Sequence, residues 1–316
     1  MPWIKKYPLE TGMIVLFAFS LLAIGFIASP ARWPEGSIVH IEPGMTINDA
    51  ALLLKEKNLI RSAPAFSLLV TAFNSRGGVR EGTYALTRKE NVFSLSYRFA
   101  KGITGTKPVK VTIPEGSTAR DIGAILKNAL GDFDDARFLA LAKSEEGYLF
   151  PETYFFLPGT PPDTVITAMR ATFDAKIAPL QDTIEAFGKP LKDVIIMASL
   201  LEKEARQTET RRTVAGILWK RIDNDFPLQV DAVFGYIFNR GTYNPTFEDL
   251  KVDSPYNTYK NLGLPPGPIA NPGLDTIEAA VTPIKTPYFY YLTGKEGSIH
   301  YAKTFEEHVA NRRFLQ

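Results

Sequence analysis

The 316-residue sequence predicts an α+β protein: an N-terminal transmembrane helix, small α/β subdomains, then a mixed α+β domain. Three observations carry this expectation. A long uncharged stretch opens the chain, a strand–turn–helix pattern occurs twice after it, and aromatic and Pro-rich loops alternate with apolar helices from Glu145 onward. No cysteine is present, which removes disulfides, thiol catalysis and zinc–thiolate sites. The net charge of +2 offers no nucleic-acid footprint.

The N-terminal element comes first. No charge lies between Glu10 and Arg32, and the residues 11–29 would rise roughly 28 Å as a helix, about the hydrocarbon thickness of a bilayer. Lys5 and Lys6 precede it, and no Lys or Arg lies between Arg32 and Lys55. The positive-inside rule therefore gives a cytoplasmic tail at 1–10, an anchor at 11–29 and a single pass through the cytoplasmic membrane. Everything after about residue 30 is expected on the extracytoplasmic (periplasmic) side. The competing reading is a cleaved signal peptide with Ser29 and Ala31 at the cleavage site, although the apolar core is long and Pro30 awkward for it.

Residues 38–144 hold the repeat. "VHIEPGMTINDAALLLKEKNLI", near 39–60, aligns with "VKVTIPEGSTARDIGAILKNAL", near 109–130. Ile41 meets Ile113, Gly44 meets Gly116, Thr46 meets Thr118 and Asp49 meets Asp121. Each copy reads as a short strand, a Gly turn, a cap and an amphipathic helix. The outline resembles the LysM-type module, which binds glycan; elements that merely space or pack the chain would read the same way. "VREGTYALT" (79–87) reads as an added strand.

The domain expected at 145–316 begins with "EEGYLFPETYFFLPGTPPD", an ordered non-helical stretch, followed by a helix with Pro162 and Asp163 near its start. "IIMASLLEKEARQTETRR" (195–212) is then apolar through Leu201 except for Ser199, and ends in Glu202 and Glu204. At 100° per residue Glu202 shares a face with Ile195, Ala198 and Ser199, whereas Glu204 lies nearly opposite, with Met197 and Leu200. A carboxyl group buried there must pair with a cation, accept several hydrogen bonds, or keep its proton with a raised pKa. Only the last describes a general acid, and periodicity does not choose between the two. Next come a helix from about Thr208 whose Val214, Ile217, Leu218 and Arg221 share a face, and a helix in "NPGLDTIEAAV" with Asn271 as cap and Pro272 at its first position. A β-hairpin in "YFYYLTGKEGSIHYAKT" and a closing helix with Thr304 and Glu307 at capping-box spacing complete the chain. His300 and His308 lack metal-ligand companions and read as structural.

"EGYLFPETYFF", "ASLLEKEA", "LQVDAV", "SPYNTY", "GLPPGPIANPG" and "HYAKTFEEHVANRR", in this order, resemble the endolytic murein transglycosylases of the YceG-like (MltG-type) family. The resemblance implies a lytic transglycosylase that cleaves the β-1,4 bond between N-acetylmuramic acid and N-acetylglucosamine within peptidoglycan strands, leaving 1,6-anhydromuramyl ends. It implies the first Glu of "EKE", Glu202, as catalytic residue. Glu152, Gln229, Asp231, Ser254, Asn257 and Tyr259 are the expected substrate contacts. No metal or cofactor is implied. Glycan strands and the membrane are the expected partners, with peptidoglycan synthases (penicillin-binding proteins) beside them and no nucleic acid. One carboxyl group suffices for this chemistry, because the attacking nucleophile is the muramyl C6 hydroxyl and not an activated water. The alternatives are a non-catalytic peptidoglycan-binding scaffold for synthesis enzymes, and a hydrolytic muramidase with Asp231 as second carboxylate.

Overall fold

A computed structural model of the chain describes residues 27–315 apart from 75, 76, 106, 242 and 296. The cytoplasmic tail and nearly all of the expected anchor at 11–29 lie outside the described residues. Among the described residues no helix is long and apolar enough to cross a membrane. The architecture is mixed α+β, in two compact units: one runs to Val109 and takes in Leu157–Thr160, the other comprises Lys110–Phe156 and everything from Pro161.

In the smaller unit β1 (Ser37–Ile41) pairs antiparallel with β2 (Gly82–Leu86), in a register that sets Ser37 against Leu86 and Ile41 against Gly82. Helices α1 (Ile47–Glu56), α2 (Ala63–Phe73) and α3 (Val92–Lys101) complete it. Val39 and Ile41 alternate with exposed or half-buried neighbours along β1. They meet Leu54, Phe66, Leu95 and Phe99 in one core, where the rings of Tyr84 and Phe99 stack 3.9 Å apart. Each such side chain contributes about 1.5–3 kcal/mol by leaving water.

The larger unit begins one residue into β3 (Val109–Thr112) and continues with α4 (Ala119–Leu130), α5 (Asp135–Ala142) and β4 (Thr153–Phe156), with β3 and β4 paired. The two sequence repeats fold alike: Thr46 and Thr118 both cap their helices at φ −76°, ψ 163°, each in a reciprocal capping box with Asp49 or Asp121. Gly44 and Gly116 both take positive φ, 83° and 73°, a turn that other residues adopt only with strain. In the structure the first copy belongs to the smaller unit and the second to the larger.

Helices α6 (Pro162–Ile177) and α7 (Gln181–Phe187) lead to α8 (Leu191–Glu204), the buried centre of this unit. Every residue of α8 from Val194 to Leu201 is buried, which is the all-round apolar pattern read from the sequence. Ser199 is accommodated because its Oγ donates to the Ile196 carbonyl and accepts from the Ile269 N–H at 3.0 Å. Around α8 pack α9 (Thr208–Asp223), α10 (Ala232–Ile237) and α11 (Leu274–Val281). The hairpin β5 (Tyr290–Thr293) and β6 (Ile299–Ala302), then α12 (Phe305–Asn311), close the chain.

One cap differs from its sequence expectation. Gly273, not Asn271, occupies the N-cap of α11. The Asn271 side chain is buried and committed elsewhere: it accepts from the Leu149 N–H and donates to the Ser117 carbonyl and to Glu146. Its backbone exchanges hydrogen bonds with Gly116 and Ser117, tying the turn of the second repeat to the 271–273 segment.

Candidate active site

Helix α8 ends at Glu204, where Ala205 turns to extended geometry at φ −141°. Both acids of the "EKE" stretch therefore sit in the last helical turn, where the helix dipole disfavours negative charge. Their surroundings diverge completely.

Glu202 has a side chain only 5 % exposed and is fully engaged as an acceptor. Arg211 Nη2 donates to its Oε1 at 2.8 Å, while the Gly273 N–H and the Thr276 hydroxyl donate to its Oε2 at 2.9 and 2.7 Å. Arg211 reaches from α9 and also binds Asp275 at 2.6 Å and the Ala205 carbonyl. Glu202 thus joins the end of α8 to the positively polarised start of α11, with both carboxyl oxygens accepting hydrogen bonds. Gly116 lies directly over it: a Cβ there would come within 3.3 Å of Glu202 Cγ. Glu202 is not among the residues that line the cavity described next. Arg211, nine residues further along, supplies the charge that periodicity could not reveal.

Glu204 faces a cavity of about 630 Å³, within the size range of small-ligand sites. Among the described residues it has no ion-pair partner; the Tyr291 hydroxyl donates to its Oε2 at 2.9 Å. Burial pushes its carboxyl up to about 7, with the hydrogen bond from Tyr291 pulling the other way and the nearby charge of Asp231 adding to the rise.

Asp231 lines the same cavity, at the start of α10, and accepts from the Tyr259 hydroxyl at 2.5 Å. Gln229, two residues before it, holds a left-handed φ of 50°, a cost of order 1 kcal/mol for a residue with a side chain. Thr258 fixes this kink by accepting the Gln229 N–H on its carbonyl and the Val230 N–H on its hydroxyl. Gln229 itself is exposed and is not among the cavity-lining residues.

The remaining expected contacts lie elsewhere. Asn257 is fully buried and staples its own loop, donating to the Leu250 and Val252 carbonyls and accepting from the Tyr259 N–H. Ser254 accepts from the Tyr256 N–H in that loop. Glu152 is exposed and paired with Lys176 at 3.1 Å. All three have structural partners, and none lines the cavity.

Several cavity residues carry no expectation from the sequence, among them Glu146, Tyr236 and Ile269. Glu146 accepts from the Ala119 N–H at the first turn of α4 and from Asn271 Nδ2 at 2.9 Å, and burial raises its carboxyl to about 7. Tyr236 lines the wall, its hydroxyl pushed up by burial, and Ile269 supplies apolar surface. The signal for Glu146 lay in "EEGYLF": an acid just before Gly147, whose φ of 88° turns the chain beneath Pro268 and Ile195. Among the described residues no three His, Asp or Glu side chains converge as metal ligands.

The arrangement offers two carboxyls raised to about 7, Glu204 and Glu146, with Asp231 and tyrosine walls in a single cavity. A model of the YceG-like family matches residues 39–313. An endolytic murein transglycosylase of Bacillus subtilis is 31% identical over 297 residues, covering 85% of this chain and 82% of that protein. One of Streptococcus pneumoniae serotype 2 is 29% identical, over 86% of this chain but only 57% of its own length. The crystal structure of a yceG-like protein from Listeria monocytogenes superposes with a TM-score of 0.60 at 32% identity, over 88% of this chain and 99% of that one.

Proposed function

This chain belongs to the YceG-like family, and from that membership we propose that it is an endolytic peptidoglycan lytic transglycosylase. It cleaves the bond between N-acetylmuramic acid and N-acetylglucosamine inside glycan strands and leaves 1,6-anhydromuramyl ends. The relatives named endolytic murein transglycosylases support this reading.

The reacting group we infer is Glu204, not Glu202, and one observation carries the choice. Glu204 is the carboxyl of α8 that opens on the cavity without an ion-pair partner, with its pKa raised to about 7. Glu202 is closed off by Arg211, Gly273 and Thr276. Protonated Glu204 gives its hydrogen to the glycosidic oxygen as the C1–O4 bond breaks. The resulting carboxylate then takes the proton of the muramyl C6 hydroxyl, whose oxygen closes on C1 of the same ring. The acid is restored and no water is consumed. Asp231, beside it, supplies negative charge facing a sugar ring that becomes cationic in the transition state. A desolvated carboxyl with a pKa near neutrality can serve first as acid and then as base at neutral pH.

Purified sacculi digested with the protein should release glycan ending in 1,6-anhydromuramyl residues, read by mass spectrometry. Hydrated reducing ends would refute the lyase reading and favour the muramidase, for which the nearness of Asp231 to Glu204 is the supporting observation.

The setting is part of the proposal. Residues 11–29 would hold the protein in the cytoplasmic membrane with its catalytic part on the extracytoplasmic side, supported by the uncharged stretch and the flanking lysines. The paired strand–turn–helix units would act as LysM-like glycan contacts, supported by their common cap and turn geometry. Peptidoglycan synthases would be its neighbours there.

A further inference from the structure

Of the four cations lining the cavity, Arg240 lies over the Tyr243 ring at 5.1 Å; the other three are Arg120 of α4, Lys143 at the end of α5 and Lys203 beside the two acids of α8. All three are exposed, and none forms an ion pair among the described residues. Other exposed cations of the same unit do find carboxylates: Lys127 with Asp135 at 2.8 Å, Arg137 with Asp163 at 2.6 Å and Lys251 with Glu248 at 2.8 Å.

Acids are not lacking nearby; they are otherwise engaged. Asp121 caps α4 through Thr118, and Asp231 holds the Tyr259 hydroxyl. Glu146 and Glu204, each raised to about 7 by burial, offer only part of a charge at neutral pH. Arg120 is also set against its helix. It lies in the first turn of α4, where the dipole disfavours a cation. Three unpaired cations at one rim, one of them at a positively polarised helix start, repel each other until an anion arrives.

The sugar backbone of peptidoglycan is uncharged at the bond being cut. The charges near it are the carboxylates of the peptide carried by the lactyl group of the muramyl residue. We propose that Arg120, Lys143 and Lys203 form an anion-binding rim that receives the peptide carboxylates of the muramyl residue being cleaved, so that peptide-bearing strands are preferred over bare glycan. This rests on the transglycosylase reading and extends it to substrate choice.

The test compares three glycan preparations: strands with free-acid peptides, strands with those carboxyl groups converted to carboxamides, and strands stripped of peptide by an amidase. Wild type should show the highest kcat/KM on the first, with the advantage shrinking as salt screens it. Each of Arg120→Gln, Lys143→Gln and Lys203→Gln should cut the ratio of acid-bearing to bare strands by about two- to five-fold, the range of one exposed charge. The triple variant should bring the ratio near unity. A variant that is merely misfolded lowers all three rates and keeps the ratio, and Arg120→Lys should retain it. Equal wild-type rates on all three preparations, or an unchanged ratio in the triple variant, overturn the rim. A wild type that releases no anhydro ends from any preparation overturns the transglycosylase reading beneath it.

Discussion

Glu202 and Glu204 stand two residues apart in one helical turn, yet each meets the cost of its position differently. Both oppose the dipole at the end of α8. On the Glu202 face that cost is offset by a cation from α9 and by the start of α11. On the Glu204 face the nearest partner is a neutral phenol, and the cost persists as a raised pKa. The difference teaches that a buried carboxyl is made structural or reactive by what packs against it, not by its own stretch of sequence. One face joins three helices; the other opens on the cavity.

The comparison breaks most sharply in turnover. Replacing Glu204 by Gln removes the acid and should lower kcat on purified peptidoglycan by about 10²–10⁴-fold, the usual worth of a positioned proton donor. Glu202→Gln, assayed below its melting temperature, should stay within about ten-fold of wild type. The opposite pattern would return the reaction to Glu202.

Stability should divide the pair with opposite signs. Glu202→Gln leaves the guanidinium of Arg211, itself only 9 % exposed, with Asp275 as its remaining charged partner. Breaking a buried pair from one side should cost about 3–5 kcal/mol at pH 7. Glu204 works the other way. Its carboxyl rises from an ordinary 4.5 to about 7 in the folded protein, so the folded state holds this proton more tightly than the unfolded one. Stability from this group is therefore greatest below pH 4.5, falls as pH rises towards 7, and above 7 the buried charge is a net burden. Glu204→Gln should consequently be more stable than wild type at pH 8, by about 1–3 kcal/mol, with the gain shrinking towards pH 5. Glu146 titrates in the same direction in both proteins and cancels. Denaturant titrations at the two pH values would show it, and equal losses for both variants would erase the distinction.

Much of the fold could be read from local pattern. The paired turns, the reciprocal caps at Thr46 and Thr118, the apolar run of α8 and the terminal hairpin depend on residues within a few positions of one another. The choice between the two acids does not. It rests on Gly273 and Thr276, some seventy residues beyond Glu202, and on Tyr291, further still beyond Glu204. Ser254 and Asn257 were expected at substrate, but they spend their hydrogen bonds on the backbone of their own loop. Asn271 has the residue type and place of a cap, yet three buried partners from distant segments claim its amide. Asp231 and Tyr259 were expected only as separate substrate contacts from distant stretches, and the structure joins them at 2.5 Å.

The smallest effect is also the most selective. Tyr291 on β5 touches Glu204 and makes no hydrogen bond to Glu202, whose donors are Arg211, Gly273 and Thr276. A hydrogen bond donated to a carboxylate favours the ionised form, so Tyr291→Phe removes a force that pulls the Glu204 pKa down. One such bond is worth about 0.5–1.5 kcal/mol, which corresponds to a rise of up to about one pH unit. The alkaline limb of kcat/KM should accordingly move upward, since the acid keeps its proton to higher pH, while the acidic side of the profile changes less. If that limb belonged to Glu202, removing a phenol that never touches it would leave the profile in place. A profile measured from pH 5 to 9 on peptide-bearing strands therefore identifies the titrating group through its neighbour, without replacing either acid.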